Sequence, residues 1–183
     1  MPLTAYIGLG ANLATPLGDP HSTLTRALDD LAALPGTRIT ARSAFFQTAP
    51  VDADGPDFIN AAAALDTSLD APALLAALLL IEQGHGRTRP HPAAGRPADQ
   101  HADQHAARTL DLDLLMHGDS IINTPFLTLP HPRMHLRAFV LVPLSDIAPQ
   151  LVIPARGSVS DCLETIGRKG VARLAPQRLA GCA

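Results

Sequence analysis

Arg108-Thr109-Leu110-Asp111-Leu112-Asp113-Leu114-Leu115 sets two acidic residues, two positions apart, inside an apolar run. In a β-strand alternate side chains share a face. Asp111 and Asp113 would therefore point one way, with Cα atoms about 6.5–7 Å apart, while Leu110, Leu112 and Leu114 pack the other way. A strand here completes the series that decides the fold. Leu3 to Leu9 reads as a first strand, and after Pro20 the residues Leu24, Ala27, Leu28 and Leu31 fall at helical spacing until Pro35-Gly36. Arg38 to Gln47 and Phe58 to Thr67 read as two further strands, joined by a turn-rich loop from Thr48 to Asp57 with Pro50, Gly55 and Pro56. Asp70 offers an N-cap with Pro72 in the first turn, so the leucine-rich run to Glu82 reads as a second helix. The order strand, helix, strand, strand, helix, strand predicts an α+β fold. It is that of a ferredoxin-like βαββαβ sandwich, a mainly antiparallel sheet with helices packed on one face. C-terminal additions are expected as a short strand pair around Ile121 to Leu129 and helices near Arg137 to Ile147 and Val159 to Gly167.

Composition narrows the function classes. A chain of 183 residues can bury one good core, and no composition break divides it, so residues 1–183 are expected to form a single domain. With aromatics at 3% and no tryptophan, Leu, Ala, Val and Ile must build that core. A net charge of −3 argues against a general nucleic-acid binder. The longest apolar stretch, Ala71 to Ile81, is too short to span a bilayer, so no membrane partner is expected. The segment from Met1 to Tyr6 lacks the basic region and apolar core of a signal peptide, which predicts a cytoplasmic protein with Cys162 and Cys182 as reduced thiols. A monomer is expected. Gly8-Leu9-Gly10 followed by Leu13 lacks the third glycine of a dinucleotide fingerprint.

Two stretches carry chemistry. Carboxylates spaced as Asp111 and Asp113 suit a shared pair of magnesium ions, which prefer carboxylate and phosphate oxygens and can clamp a polyphosphate during a displacement. An edge strand with one solvated face would give the same short pattern. Residues 88–107 have no apolar periodicity to bury and are predicted to form a long mobile surface loop. From His85 to Arg108 it and its roots carry Arg87, Arg89, Arg96 and Arg108 against Asp99 and Asp103, a local excess of positive charge in a negative chain. An arginine-bearing loop beside a metal-binding acid pair is what a polyphosphate-transfer site would use to cover its substrate and exclude water. Arg87 and Arg108 stand at the roots, where geometry is best controlled. His91, His101 and His105 suggest a metal as well, but no fourth ligand at zinc-site spacing accompanies them.

The chain resembles the 6-hydroxymethyl-7,8-dihydropterin pyrophosphokinase family. The resemblance lies in Tyr6-Ile7-Gly8-Leu9-Gly10-Ala11-Asn12-Leu13, Phe58-Ile59-Asn60-Ala61-Ala62, Glu82-x-x-x-Gly86-Arg87-x-Arg89, the Arg-Thr-Leu-Asp-Leu-Asp stretch from Arg108, and Leu129-Pro130-His131 followed by Arg137-Ala138-Phe139. It implies transfer of a pyrophosphoryl group from ATP to the pterin hydroxymethyl oxygen, with AMP released. Asp111 and Asp113 would hold two magnesium ions, and Arg87 and Arg108 would engage the phosphates. Thr48, Val51, Phe58, Asn60 and Phe139 would contact the pterin, with the phenylalanines sandwiching its ring and Asn60 bonding its edge. Glu82, Arg87, Arg89, Arg108, Leu114, Thr128, His131 and Arg137 would line the ATP site. Read without the resemblance, Phe58 and Phe139 are core residues and His131, before Pro132, is a turn residue. The chain departs from the family in having Ala106-Ala107 where a Trp-Gly-Pro-like stretch usually precedes the arginine, Ala11 for serine, Leu79 for a polar residue, and Pro132 for tyrosine.

Two other classes remain open on sequence alone. A magnesium-dependent nucleotidyltransferase also presents Asp-x-Asp on a strand, although a third carboxylate and a Gly-Ser nucleotide loop are not evident. A non-enzymatic metal-binding or interaction protein would use the histidine-bearing loop and leave the acid pair unexplained.

Overall fold

The structure is a computed structural model that describes residues 2–16, 18–50, 55–87 and 108–175. The mobile-loop expectation for residues 88–107, with Arg89, Arg96 and the three loop histidines, lies outside the described residues, as do Val51 and Cys182.

In chain order the elements are β1 (Leu3–Ala11), α1 (Pro20–Ala32), β2 (Thr37–Arg42), β3 (Phe46–Thr48), β4 (Phe58–Thr67), α2 (Ala71–Gly84) and β5 (Asp111–His117). There follow a hairpin of β6 (Ile122–Asn123) and β7 (Thr128–Leu129), a single 3-10 turn (Met134–Leu136), α3 (Ala138–Ile147), a small pair β8 (Val152–Ile153) and β9 (Gly157–Ser158), α4 (Val159–Ile166) and β10 (Val171–Arg173). The main sheet runs β10-β3-β4-β1-β5, with β2 beside β3 on the same edge of β4, and every pairing is antiparallel. The predicted βαββαβ core is therefore present. No helix among the described residues is long and apolar enough to cross a membrane.

Local chemistry starts both early helices. Asp19 Oδ1 accepts from Ser22 N at 2.8 Å with Pro20 in the first turn, and Asp70 Oδ1 accepts from Ala73 N at 2.8 Å with Pro72 behind it, so each first turn has a capped donor. The predicted stripe Leu24, Ala27, Leu28 and Leu31 is buried, together with Leu74 and Leu78 of α2, against Leu110, Leu112 and Leu114. A second core lies on the other face of the sheet, where Leu141, Leu144, Val159 and Leu163 of α3 and α4 meet Leu115, Met116 and Ala62. The helices thus hold both faces, the C-terminal pair taking the one that the βαββαβ reading had left bare. Alanines 61–64 at the middle of β4 are all buried, and their small side chains leave room for helices on either side.

One boundary differs from the sequence reading. The strand expected over Arg38 to Gln47 is two strands, because Ser43 leaves the ladder: its Oγ, rather than a backbone carbonyl, accepts from Ala62 N at 2.9 Å, and Ala44 N donates to Asp146 Oδ2 on α3 at 2.9 Å. On β5, Leu115 is an extra residue between the pairs Ile7–Leu114 and Tyr6–Met116, so the strand turns Leu115 and Met116 to the second core.

Candidate active site

One row of residues across the sheet organises the site. Asp111 lies opposite Gly10 of β1, Gly10 lies opposite Asn60 of β4, and Asp113 lies opposite Gly8. The predicted alternation holds, with Asp111 and Asp113 partly exposed and Leu112 buried between them. Because the two glycines carry no side chain, the surface between the acid pair and Asn60 stays open. A Cβ on Gly10 would stand 3.3 Å from Asn60 Oδ1 and crowd it. Two strand spacings separate β4 from β5, about 10 Å.

Arginines enter from two directions. Arg87, just past α2, bonds both Glu82 Oε1 and Asp111 Oδ1 through Nη1, while Arg108 Nη1 donates to Asp111 Oδ2 at 2.5 Å. Glu82 is buried. It also accepts from Leu112 N at 2.8 Å, a donor that the edge strand β5 would otherwise leave unpaired. Arg87 N donates to Glu82 O at 3.0 Å and Gly86 takes φ +81°, so the end of α2 wraps Arg87 back over its own glutamate. Buried Asn12 fixes Arg108: its Oδ1 accepts from Arg108 N at 2.6 Å and its Nδ2 reaches Pro56 O at 3.2 Å, joining the chain before β5 to the chain before β4. A third arginine, Arg137, stands at the start of α3 with Nη1 3.8 Å from Asp113 Oδ2 and its guanidinium 5.5 Å above the Phe139 ring.

The charges are tuned by this crowding. Burial and the neighbouring Asp111 charge push the Asp113 carboxyl up to about 6, and Arg137 and Arg108 only partly offset them. Burial alone would weaken Arg87 as a base, but Asp111 and Glu82 outweigh it and hold the guanidinium above its ordinary value. His131 is pushed down to about 4 by burial and by Arg137 and Arg133. It is neutral near pH 7, and since Nδ1 accepts from Arg133 N at 3.3 Å, the proton sits on Nε2.

These groups line one cleft of about 870 Å³. Each described residue assigned to the site from sequence borders it: Thr48, Phe58, Asn60 and Phe139 on the β3–β4 side; Arg87, Arg108, Asp111, Asp113, Glu82 and Leu114 around β5; and Thr128, His131 and Arg137 beyond. Asn60 Nδ2 donates to Thr48 Oγ1 at 2.9 Å, which fixes the amide. Arg133, Lys169, Leu136 and Phe126 also line the cleft, although the sequence reading gave them no role. Phe126 in a Pro-containing turn was the one visible signal. Lys169 and Arg133 carry none, because their approach depends on how the C-terminal third folds back.

The acid pair suits magnesium. No cluster of three or more ligating side chains occurs among the described residues. Two carboxylates nonetheless meet the protein's share of such a site, because magnesium usually takes one or two carboxylates and completes its shell from phosphate oxygens and water. Asp113 also holds its negative charge at a cost that a divalent cation would relieve.

The chain is similar to known proteins over nearly its whole length. The family described as 7,8-dihydro-6-hydroxymethylpterin-pyrophosphokinase (HPPK) matches residues 6–149. A 2-amino-4-hydroxy-6-hydroxymethyldihydropteridine pyrophosphokinase of Haemophilus influenzae is 36% identical over 175 residues, 95% of this chain and 99% of that one. The protein of the same name from Pseudomonas aeruginosa is 39% identical over 170 residues, 92% of this chain and 95% of that one. Among solved structures, an HPPK-DHPS in complex with substrates superposes with a TM-score of 0.63 at 13% identity, covering 90% of this chain and 43% of its own, and the Plasmodium falciparum HPPK-DHPS with pteroate gives 0.59 at 12% identity, covering 90% and 42%. The chain thus spans less than half of those two-part structures, which bear on the fold alone. On the family match and the relatives, the chain belongs to the 7,8-dihydro-6-hydroxymethylpterin-pyrophosphokinase family.

Proposed function

We propose that the protein transfers the pyrophosphoryl group of ATP to the hydroxymethyl oxygen of 6-hydroxymethyl-7,8-dihydropterin, giving AMP and the pterin diphosphate in folate biosynthesis. The observation that carries this reading is the row Asn60–Gly10–Asp111, which joins an aromatic and amide pocket to an acid pair ringed by arginines across a gap of about 10 Å. A flat heterocycle held at Thr48, Asn60, Phe58 and Phe139 would extend its hydroxymethyl group toward Asp111 and Asp113. There the alcohol oxygen attacks the β-phosphorus of ATP, the bond from that phosphorus to the α–β bridging oxygen breaks, and AMP leaves as the hydroxyl proton passes to solvent. No covalent enzyme intermediate is needed, so the protein must mainly position two substrates and neutralise charge.

Each group has a part in that task. Asp111 and Asp113 are the residues that would hold two magnesium ions, which when bound would neutralise phosphate charge and orient the transferring group. Arg87 and Arg108 stand on Asp111 and would turn their remaining donors to phosphate oxygens, with Glu82 keeping Arg87 in place. Neutral His131 offers an Nε2–H donor that a phosphate or ribose oxygen can accept without adding charge. The same proposal has the protein act as a monomer in the cytoplasm.

Incubation with ATP, magnesium and the reduced pterin, followed by product analysis, tests the reading. AMP and pterin diphosphate in equal amounts are expected. Inorganic pyrophosphate with a nucleotidylated pterin would instead identify a nucleotidyltransferase, and no ATP turnover would rule out both.

A further inference from the structure

His85 is 5% exposed and does not border the cleft, yet it stands two residues before Arg87 and reaches the other way, where its Nε2 lies 2.7 Å from Asp30 Oδ2 on α1. We infer that His85 and Asp30 are positioning residues for Arg87, an inference that rests on the reading of this cleft as a pyrophosphoryl-transfer site. Neither would touch a substrate. Their effect on the reaction passes through the turn that ends α2.

That turn is short and tightly specified. Gly86 N donates to Gln83 O at 3.0 Å and Arg87 N to Glu82 O at 3.0 Å, with Gly86 at φ +81°, which are the paired bonds and left-handed residue of a Schellman ending. His85 and Arg87 flank that glycine and send their side chains apart, the imidazole to α1 and the guanidinium to Glu82 and to Asp111 on β5. Gly86 itself anchors nothing, for even a Cβ there would meet no atom within 4 Å. Side chains on both sides of it tie the turn to the fold. The Arg87 side is tied to an acid that would also serve magnesium, so that tie must readjust as phosphate and metal enter. The tie from His85 to α1 lies outside the cleft and persists whatever occupies it.

Asp30 gains nothing from its own helix. It lies in the last turn of α1, outside the buried stripe, where a carboxylate faces the negative end of the helix dipole. A carboxylate only accepts, so His85 Nε2 donates to it. Nδ1 of the same ring is buried with no hydrogen-bond partner among the described residues, so the ring's polar attachment runs through Nε2. An apolar residue would fill this place without stranding a polar atom if packing were the whole task. Losing the bond to Asp30 frees the turn to shift, and a displacement of about 1 Å arising away from the reacting atoms can slow a reaction by up to about a hundredfold.

Asp30→Ala is the cleaner variant, since the Asp30 side chain is half exposed and its removal leaves the buried stripe of α1 intact. It should lower kcat about five- to twentyfold and change the KM for the pterin by less than about twofold. Asp30→Asn, whose amide oxygen still accepts from Nε2, should hold kcat within about twofold of the parent, and His85→Leu should match Asp30→Ala. In an Arg87→Ala background Asp30→Ala should change kcat by less than about twofold, because the group through which the pair acts is gone. Heteronuclear NMR of the Arg87 guanidinium, identified by its loss in Arg87→Ala, gives a readout apart from activity: rotation should be hindered in the parent and faster in Asp30→Ala. Unchanged kcat in Asp30→Ala, the same fold-loss with and without Arg87, no rescue by Asp30→Asn, or unaltered guanidinium rotation would each overturn the inference. Absence of AMP formation by the parent would instead sink the proposed reaction, while the guanidinium signal still decides whether the pair holds Arg87.

Discussion

Asp111 and Asp113 differ in their surroundings, and this makes separate predictions possible. Among the described residues Asp111 bonds two arginines, whereas Asp113 pairs with Arg137 at 3.8 Å. Asp111→Asn and Asp113→Asn should each lower AMP formation by several orders of magnitude with the circular dichroism spectrum unchanged, because the leucines on the far side of β5 are untouched. Near-normal turnover in either variant would remove that residue from the proposed magnesium site. His131 gives a pH prediction. Its imidazole titrates at about 4 in the fold against an ordinary 6.5, so as pH falls below 6.5 the unfolded chain takes up a proton that the folded chain refuses. The stabilisation is complete above 6.5 and is lost progressively toward 4. Urea midpoints of the parent should therefore fall relative to those of His131→Asn between pH 7 and 4.5. The comparison is needed because Asp113, raised to about 6, works with the opposite sign in an overlapping window. A constant difference between parent and variant would show that His131 is not held neutral. The acid pair was legible in sequence because strand alternation is a local rule. Asn12 was not: its two bonds reach Arg108 and Pro56, and nothing near it in the chain marks it as their common anchor.

At the scale of elements, α2 delivers Arg87 and Glu82 to β5, and α3 delivers Arg137 and Phe139. The two deliveries should separate in kinetics. Arg87→Ala removes a guanidinium that the proposed reaction turns to phosphate, and should cut kcat by about a hundredfold to a thousandfold with the pterin affinity little changed. Phe139→Ala should weaken pterin binding and leave the chemical step closer to normal. Similar losses of pterin affinity in both variants would refute this division. The α2 turn is itself braced from α1, for His85 is buried and its Nε2 lies 2.7 Å from Asp30 Oδ2. Helix starts were readable since Asp19 and Asp70 cap donors three residues on, and the stripe on α1 was readable from its period. The break between β2 and β3 and the existence of β10 were not. Ser43 bonds Ala62, Ala44 bonds Asp146, and β10 exists through its pairing with β3, all contacts between residues distant in sequence.

For the molecule as a whole, the sheet is shared property. Leu74 of α2 belongs to the core on one face, Leu141 of α3 to the core on the other, and β1, β4 and β5 contribute side chains to both. Residues after β5 are thus no appendage to a finished βαββαβ unit. They cover the face of the sheet that carries the acid pair and supply Arg137, Phe139 and His131 to the cleft. The physical consequence is cooperativity, because neither layer of helices can leave without exposing strands that the other layer needs. Leu74→Ala and Leu141→Ala, each fully buried in the parent, should each cost about 2–5 kcal/mol. Both should lower the midpoint of one urea transition without splitting it. The double variant should lose the sum of the two within about 0.5 kcal/mol, since the sites lie on opposite faces of the sheet and share no partner. The measurement is urea unfolding followed in parallel by far-ultraviolet circular dichroism and by the fluorescence of Tyr6, the chain's one tyrosine, which packs against the second core. Coincident curves are expected when the two layers unfold together as one domain. A Leu141→Ala curve in which the Tyr6 signal is lost well before the helix signal would mean that the C-terminal helices and their share of the cleft form a separate folding unit.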